Sequence, residues 1–269
     1  MNQHKLSNIH PKAKIADSVT IDAFATIGED VEIGEGTWIG PNACVMDGAR
    51  IGKNCRIFPG AVISAIPQDL KFQGEYSTVE VGDNTSIREF CTIHKGTIDK
   101  KKTVIGKNCL LMAYVHVAHD CILGDNVILA NSVQIAGHVT IDDFAILEGL
   151  SAVQQFIHIG AHAFVAGYTP VRKNVPPYVK AARDPISYVG VNSVGLRRRG
   201  FDHDLVLQIE DIYRTLYLKG YNVSNAVEII EKEAPSSKEK DYILQFIKTS
   251  DKGIIRGPLM SDKKLDIAQ

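Results

Sequence analysis

The sequence predicts a mainly-β protein, a triangular parallel β-helix built from short strands and followed by a small C-terminal α-helical domain. Three observations predict it. Every sixth residue from Ile9 to Val171 is Ile, Leu or Val, except at Asp69, Glu75 and Asp99. Glycine often follows that aliphatic residue, as at Gly28, Gly34, Gly40, Gly52, Gly82, Gly106, Gly124 and Gly160. Beyond Val171 the period stops and helical spacing takes over.

No helix repeats every six residues, and a plain strand alternates every two without needing a fixed glycine. A short strand ending in a tight bend satisfies both features. Three such units close a coil of about 18 residues, and coils stack into a prism. The aliphatic residue then points inward, and glycine relieves the backbone at the corner. A small or moderate side chain, such as Val31, Ala43 or Val127, stands four positions after the aliphatic one. Cys55, Cys91, Cys109 and Cys121 occupy that same position and are expected to be core residues rather than reactive thiols. The cysteines form no C-x-x-C pair, which removes the zinc-knuckle and thioredoxin readings.

The repeat breaks twice. Residues 64–80, "SAIPQDLKFQGEYSTVE", and residues 96–104, "GTIDKKKTV", are expected to leave the solenoid as surface loops. Pro67, Asp69, Lys71 and Phe72 suit the first loop to a polar ligand or a neighbouring subunit; the second, rich in lysine, reads as a solvated turn. A proline-rich strap, "NVPPYVKAARDP", ends the solenoid, so the expected division is residues 1–185 and 186–269. In the second part Leu205, Ile209, Ile212 and Leu216 share one helix face, with Asp202 as N-cap and Gly220 at the far end. Further helices are expected from Ser224 to Glu233 and from Ser237 to Lys248, the latter burying Ile243, Phe246 and Ile247. A polar tail follows Gly257.

Thirty basic and 31 acidic residues among 269 give a net charge of -1, which favours neither nucleic acid nor an anionic membrane as partner. The start, "MNQHKLSNIHPKAKI", carries no apolar signal-peptide stretch, and no run approaches the roughly 18 apolar residues of a membrane span. A cytoplasmic location with reduced thiols is expected.

Chemistry concentrates in "HVAHDC", residues 116–121. In coils of about 18 residues, positions one coil apart stack at about 4.8 Å. His119 then has Gly137 and Gln155 above it, Asp120 has His138, and His94 lies roughly one coil before His116. Such a patch suits two chemistries. Three imidazoles can hold Zn²⁺ with an open fourth position. Alternatively, one imidazole serves as general base for a hydroxyl attacking an acyl thioester.

The repeat resembles the left-handed β-helix of the hexapeptide-repeat acyltransferases, and the handedness rests on that resemblance. The segments "QDLKFQGE" (68–75), "TIHKGT" (92–97), "HVAHDC", "LANSVQIAGHVTIDDFAI" (129–146), "NVPPYV" (174–179) and "GLRRRGF" (195–201) occur in that order. Together they are similar to the UDP-N-acetylglucosamine O-acyltransferases that open lipid A biosynthesis. The resemblance implies transfer of a 3-hydroxyacyl chain from acyl carrier protein to the glucosamine 3-hydroxyl of UDP-GlcNAc, without a cofactor or metal. It implies His119 as general base, Asp120 as its orienting partner and the Gly137 N–H as oxyanion donor. His119 and Asp120 are neighbours in sequence, so their pairing requires a bend between Ala118 and Cys121.

Gln68, Asp69, Lys71, His94, His116, His138 and Gln155 match substrate-binding positions of the family; so do Asn192, Arg198 and Arg199 from the C-terminal part. Gly167 matches the position that gauges acyl length. The family works as a homotrimer with sites between subunits. Gln154, Val194 and Pro185 depart from its common pattern, where a histidine, an acidic residue and another polar contact stand. An acyltransferase for a 3-amino UDP-sugar and a histidine-ligated zinc hydratase of the carbonic anhydrase type are the alternatives.

Overall fold

The computed structural model describes residues 1–258. From Asn2 to Val171 the chain winds through three parallel sheets, visiting them in turn with strands mostly two residues long. His116–Val117 belongs to the second sheet, Ile122–Leu123 to the third and Ile128–Leu129 to the first. Each strand pairs with the one a coil later, as His116 does with Gln134 and Ile122 with Thr140. The result is a left-handed parallel β-helix of triangular section.

Its core is the predicted aliphatic column. Ile21, Ile39, Ile57, Ile87, Leu111, Leu129 and Leu147 are almost wholly buried, as are their counterparts on the other two sheets. Burying each such side chain stabilises the fold by roughly 1.5–3 kcal/mol. The corners demand left-handed backbone, supplied by Asn42, Asn54, Asn84, Asn108 and Asn126, whose short polar side chains tolerate it. Cys55, Cys91, Cys109 and Cys121 are buried as expected. Burial pushes the Cys91 and Cys109 thiols up to about 11 and the Cys121 thiol up to about 12, so none is a ready nucleophile.

The irregular segments are narrower than expected. One strand continues to Ala65 and the next begins at Thr78, so the first loop covers 66–77. Strand Lys102–Ile105 takes back the end of the second break. The proline-rich strap is only partly a strap. Val179–Ala182 joins the first sheet parallel to Phe164–Val165, and Ser187–Val191 returns antiparallel to it. Pro176 and Pro177 precede the first of these strands, so no ladder donor is lost. The hairpin turns at a cis Asp184–Pro185 bond and therefore crosses the expected boundary at residue 185.

The helical part has α1 (Ser193–Arg198), α2 (His203–Tyr217), α3 (Val223–Glu233) and α4 (Lys238–Thr249). Asp202, Asn222 and Ser237 cap α2, α3 and α4. Helix α1 was not expected, because six residues are too few to show a period. The helices dock on the solenoid through tyrosines: buried Tyr213 donates to the Pro177 carbonyl at 2.6 Å and half-buried Tyr242 to Asp142 at 2.5 Å. Most of the polar tail lies outside the described residues. No helix among the described residues is long and apolar enough to cross a membrane.

Candidate active site

The corner between the second and third sheets carries the chemistry. Asp120 has φ 59°, and this left-handed residue makes the bend that the sequence required. It swings the carboxylate back onto the preceding side chain, so that His119 Nδ1 and Asp120 Oδ2 lie 2.8 Å apart. One coil up, His138 N–H donates to the His119 carbonyl at 3.0 Å and holds the two corners in register. Gly137 then lies against the imidazole. A Cβ built on Gly137 would meet His119 Cε1 and Nε2 at 2.7 Å, so only glycine leaves the ring its place. The Gly137 N–H finds no acceptor among the described residues.

A cleft of about 590 Å³ opens at this corner. Gln68, Asp69 and Lys71 reach it from loop 66–77. His94, His116 and His119 line it from two stacked coils, and Gly137 and Gln155 from the coils above. With Nδ1–H given to Asp120, His119 turns Nε2 and its lone pair to the cleft, 3.9 Å from Asp69 Oδ2. His138 packs edge-on to His119 and stacks on Phe156, with Asp99 3.1 Å from its Nδ1. His94 joins the patch as expected, with the short break absorbed between it and His116. The second break lengthens that coil to 24 residues, so Thr92 pairs with His116 and its hydroxyl lies 2.8 Å from His116 Nδ1. His94 meets the His116 ring from the side, with centroids 4.8 Å apart.

Electrostatics divides these groups by role. Burial, together with the neighbouring imidazoles, pushes His94 down to about 4. Burial also lowers His116, and it lowers His138 despite the nearby Asp120 carboxylate. All three are neutral hydrogen-bonding groups at pH 7. Burial works to raise the Asp120 pKa, but hydrogen bonds from His119, Thr97 and Lys100 outweigh it and hold the carboxyl below its ordinary value. Asp120 stays ionised although its side chain is wholly buried.

Thr97 and Lys100 are functional candidates that the sequence reading passed over. Both lie in the lysine-rich break taken for a solvated turn, yet Thr97 N–H and Lys100 N–H donate to Asp120 Oδ1 at 3.0 and 3.2 Å. The signal was present in Gly96. A Cβ there would lie 2.2 Å from Lys102 N, the mark of a tightly folded turn, but composition alone hides this.

Four candidates lie elsewhere in the chain. Gly167 sits at the corner between the first and second sheets, where a Cβ would come 3.1 Å from the Gly149 carbonyl. Asn192 is buried and committed internally, capping α1 at Gly195 N–H and donating to the His162 carbonyl at 3.0 Å. Arg199 lies over the Phe144 ring at 5.3 Å, at the corner between the third and first sheets, and Arg198 is exposed beside it. That is a different edge of the prism from His119. Among the described residues the one tight His/Asp cluster, His119 with Asp120 and His138, has its carboxylate oxygens already filled by Thr97 and Lys100 donors. The carboxylate is thereby committed to holding the imidazole and the turn at 97–100.

Comparison with known proteins identifies the family. Residues 174–255 match the model of UDP-N-acetylglucosamine O-acyltransferase domain 2, and residues 30–65 and 102–137 match the bacterial transferase hexapeptide repeat. The acyl-[acyl-carrier-protein]–UDP-N-acetylglucosamine O-acyltransferase of Aliivibrio fischeri is 44% identical, over 94% of this chain and 99% of that protein. That of Herminiimonas arsenicoxydans is 42% identical, over 94% and 98%. Among solved structures, LpxA of Bacteroides fragilis superposes with a TM-score of 0.92 at 46% identity, over 94% of this chain and 99% of its own. The Francisella novicida UDP-N-acetylglucosamine acyltransferase superposes with a TM-score of 0.93 at 42% identity, over 97% and 96%. With this site on this solenoid and such similarity along nearly its whole length, the chain belongs to the acyl-[acyl-carrier-protein]–UDP-N-acetylglucosamine O-acyltransferase family.

Proposed function

We propose that this chain transfers a 3-hydroxyacyl group from acyl carrier protein to the glucosamine 3-hydroxyl of UDP-GlcNAc, the first step of lipid A biosynthesis. The observation that carries the reading is the His119–Asp120 pair, its Nε2 directed into the cleft beneath Gly137. His119 Nε2 takes the hydroxyl proton as the sugar oxygen attacks the thioester carbonyl. Asp120 remains ionised and stabilises the imidazolium that forms. The tetrahedral oxyanion accepts from the Gly137 N–H, a donor of a kind worth roughly 3–4 kcal/mol of barrier. Collapse then expels the carrier thiolate, which recovers the proton from His119.

Gln68, Asp69, Lys71, His94, His116, His138 and Gln155 bind the sugar nucleotide. Neutral His94 and His116 serve this without adding positive charge beside the base. Asn192, Arg198 and Arg199 complete the site from a second copy of the chain in a homotrimer. Their position at another edge of the prism supports this, because one chain does not bring them to its own His119. The enzyme works in the cytoplasm, where acyl carrier protein and sugar nucleotides are found.

The test is to incubate the protein with UDP-GlcNAc and a panel of 3-hydroxyacyl carrier proteins and to identify the product by mass. A UDP-3-O-acyl product is expected. In folded His119→Ala the rate should drop about 10²- to 10⁴-fold. No acylated product with any donor, or undiminished turnover in His119→Ala, would overturn the proposal.

A further inference from the structure

The second break in the repeat is folded around the buried carboxylate. Thr97 Oγ1 donates to Asp120 Oδ2 at 2.7 Å, the same oxygen that receives His119 Nδ1–H at 2.8 Å. Asp99 N–H points at Thr97 Oγ1 from 3.4 Å and occupies its acceptor side, so the hydroxyl proton is left for Asp120. Oδ1 receives Thr97 N–H and Lys100 N–H, and Lys100 Nζ donates to the Asp120 carbonyl at 3.1 Å. Thr97 is itself buried, so these bonds form away from competing water. The turn is pinned at both ends. Lys95 N–H donates to the Ala65 carbonyl at 3.0 Å, and Lys101 N–H closes back on the Thr97 carbonyl at 2.8 Å. Glu75 from the first loop accepts from Ile98 N–H at 2.9 Å, which ties both loops into one support.

We infer that Thr97 is a positioning residue for the acyl transfer, its hydroxyl fixing the Asp120 carboxylate and thereby the orientation and basicity of His119. This rests on the proposed role of His119 as base. A carboxylate that must accept the imidazole N–H on one oxygen is held in plane only if its remaining lone pairs are filled by fixed donors. The Thr97 hydroxyl also draws charge away from Oδ2. Removing it concentrates that charge on the His119 bond and stabilises the imidazolium. The other titratable or charged groups facing the pair are Asp69 at His119 Nε2, His138 on Asp120 with Asp99 behind it, His94 and His116 across the cleft, and Lys100 and Glu75 in the two loops. All remain in a Thr97→Val protein, which loses the hydroxyl and keeps the shape and the N–H.

The experiment compares wild type with Thr97→Val, Thr97→Ser, Asp120→Asn, the Thr97→Val/Asp120→Asn double variant and His119→Ala, each checked for wild-type melting. Thr97→Val is expected to lower kcat roughly 10- to 100-fold, the range for a hydrogen bond to a charged group. KM for UDP-GlcNAc should change little, and the acidic limb of the kcat/KM profile should move to higher pH. Thr97→Ser should recover most of the lost rate. In the Asp120→Asn background the Thr97→Val change should cost nothing further, because its effect passes through that carboxylate. Independent, multiplying effects would overturn the inference, as would an unmoved acidic limb or a Thr97→Ser protein as slow as Thr97→Val. Should Thr97→Val unfold, the Thr97→Ser profile and the Asp120→Asn cycle built on Thr97→Ala carry the same test. An active His119→Ala would bring down the base assignment itself; an inactive His119→Ala beside an unaffected Thr97→Val would remove only the role of Thr97.

Discussion

Gly137→Ala is the sharpest single test of His119 as the proposed base. The added methyl would come 2.7 Å from His119 Cε1 and Nε2, whereas carbon contacts in proteins settle at about 3.5 Å or more. The ring must therefore retreat by about 0.8 Å. Its bond to Asp120 is 2.8 Å long, and a displacement of that size disturbs its geometry and moves Nε2 off its position in the cleft. Misplacing a reacting group by about 1 Å costs on the order of 10²-fold in rate, so kcat should fall by about that factor. The fold should tolerate the change. Gly137 is not among the glycines with positive φ, and its clash is with a side chain rather than with backbone. Tm should stay within about 3 °C of wild type, since replacing glycine at an ordinary φ is slightly favourable in itself. The assay is steady-state transfer to UDP-GlcNAc beside thermal melting of the same preparations. A Gly137→Ala enzyme with wild-type kcat would refute the assignment of His119 as base beneath this residue.

Other outcomes follow from particular residues. Gly167→Met places a side chain where Gly149 O already stands 3.1 Å from a Cβ, so competition between donors should shift toward shorter acyl chains; an unchanged preference would refute its role in gauging length. His94 and His162 are each lowered to about 4, mainly by burial, while in the unfolded chain they bind a proton near pH 6.5. The unfolded state binds more protons between those values, so stability is complete above about pH 6.5 and declines as pH falls toward 4. Melting temperature against pH should slope less steeply across that window in His94→Asn than in wild type; parallel slopes would refute the linkage. If Arg199 serves a neighbour's His119, mixed trimers refolded from inactive His119→Ala and inactive Arg199→Ala chains should regain activity. Mixtures as inactive as their parents would mean that each site lies within one chain.

The solenoid was legible because its physics is periodic. An aliphatic residue every sixth position and a corner that tolerates left-handed backbone recur in every coil, so a local pattern is also the global one. The same arithmetic sets Gly137 over His119 and His138 over Asp120, since coil stacking converts sequence distance directly into height. It brings His94 to the His116 patch but misses its register, because the break at 95–101 lengthens one coil and sets Thr92 opposite His116. The helices with ordinary caps were readable, while the sheet hairpin after Val179 was masked by the prolines before it.

Other features needed the folded chain. Adjacent side chains such as His119 and Asp120 diverge on a strand, and only the φ of 59° at Asp120 turns them together. Burial set the charge states of His94 and His116, which composition leaves at the ordinary imidazole value. Thr97 lay in a lysine-rich stretch whose composition says solvent, yet its backbone and hydroxyl close on a wholly buried carboxylate. Periodicity reports what repeats from coil to coil. The turn that holds Asp120 is built where the repeat is broken, so its contacts are long-range and leave no period to read.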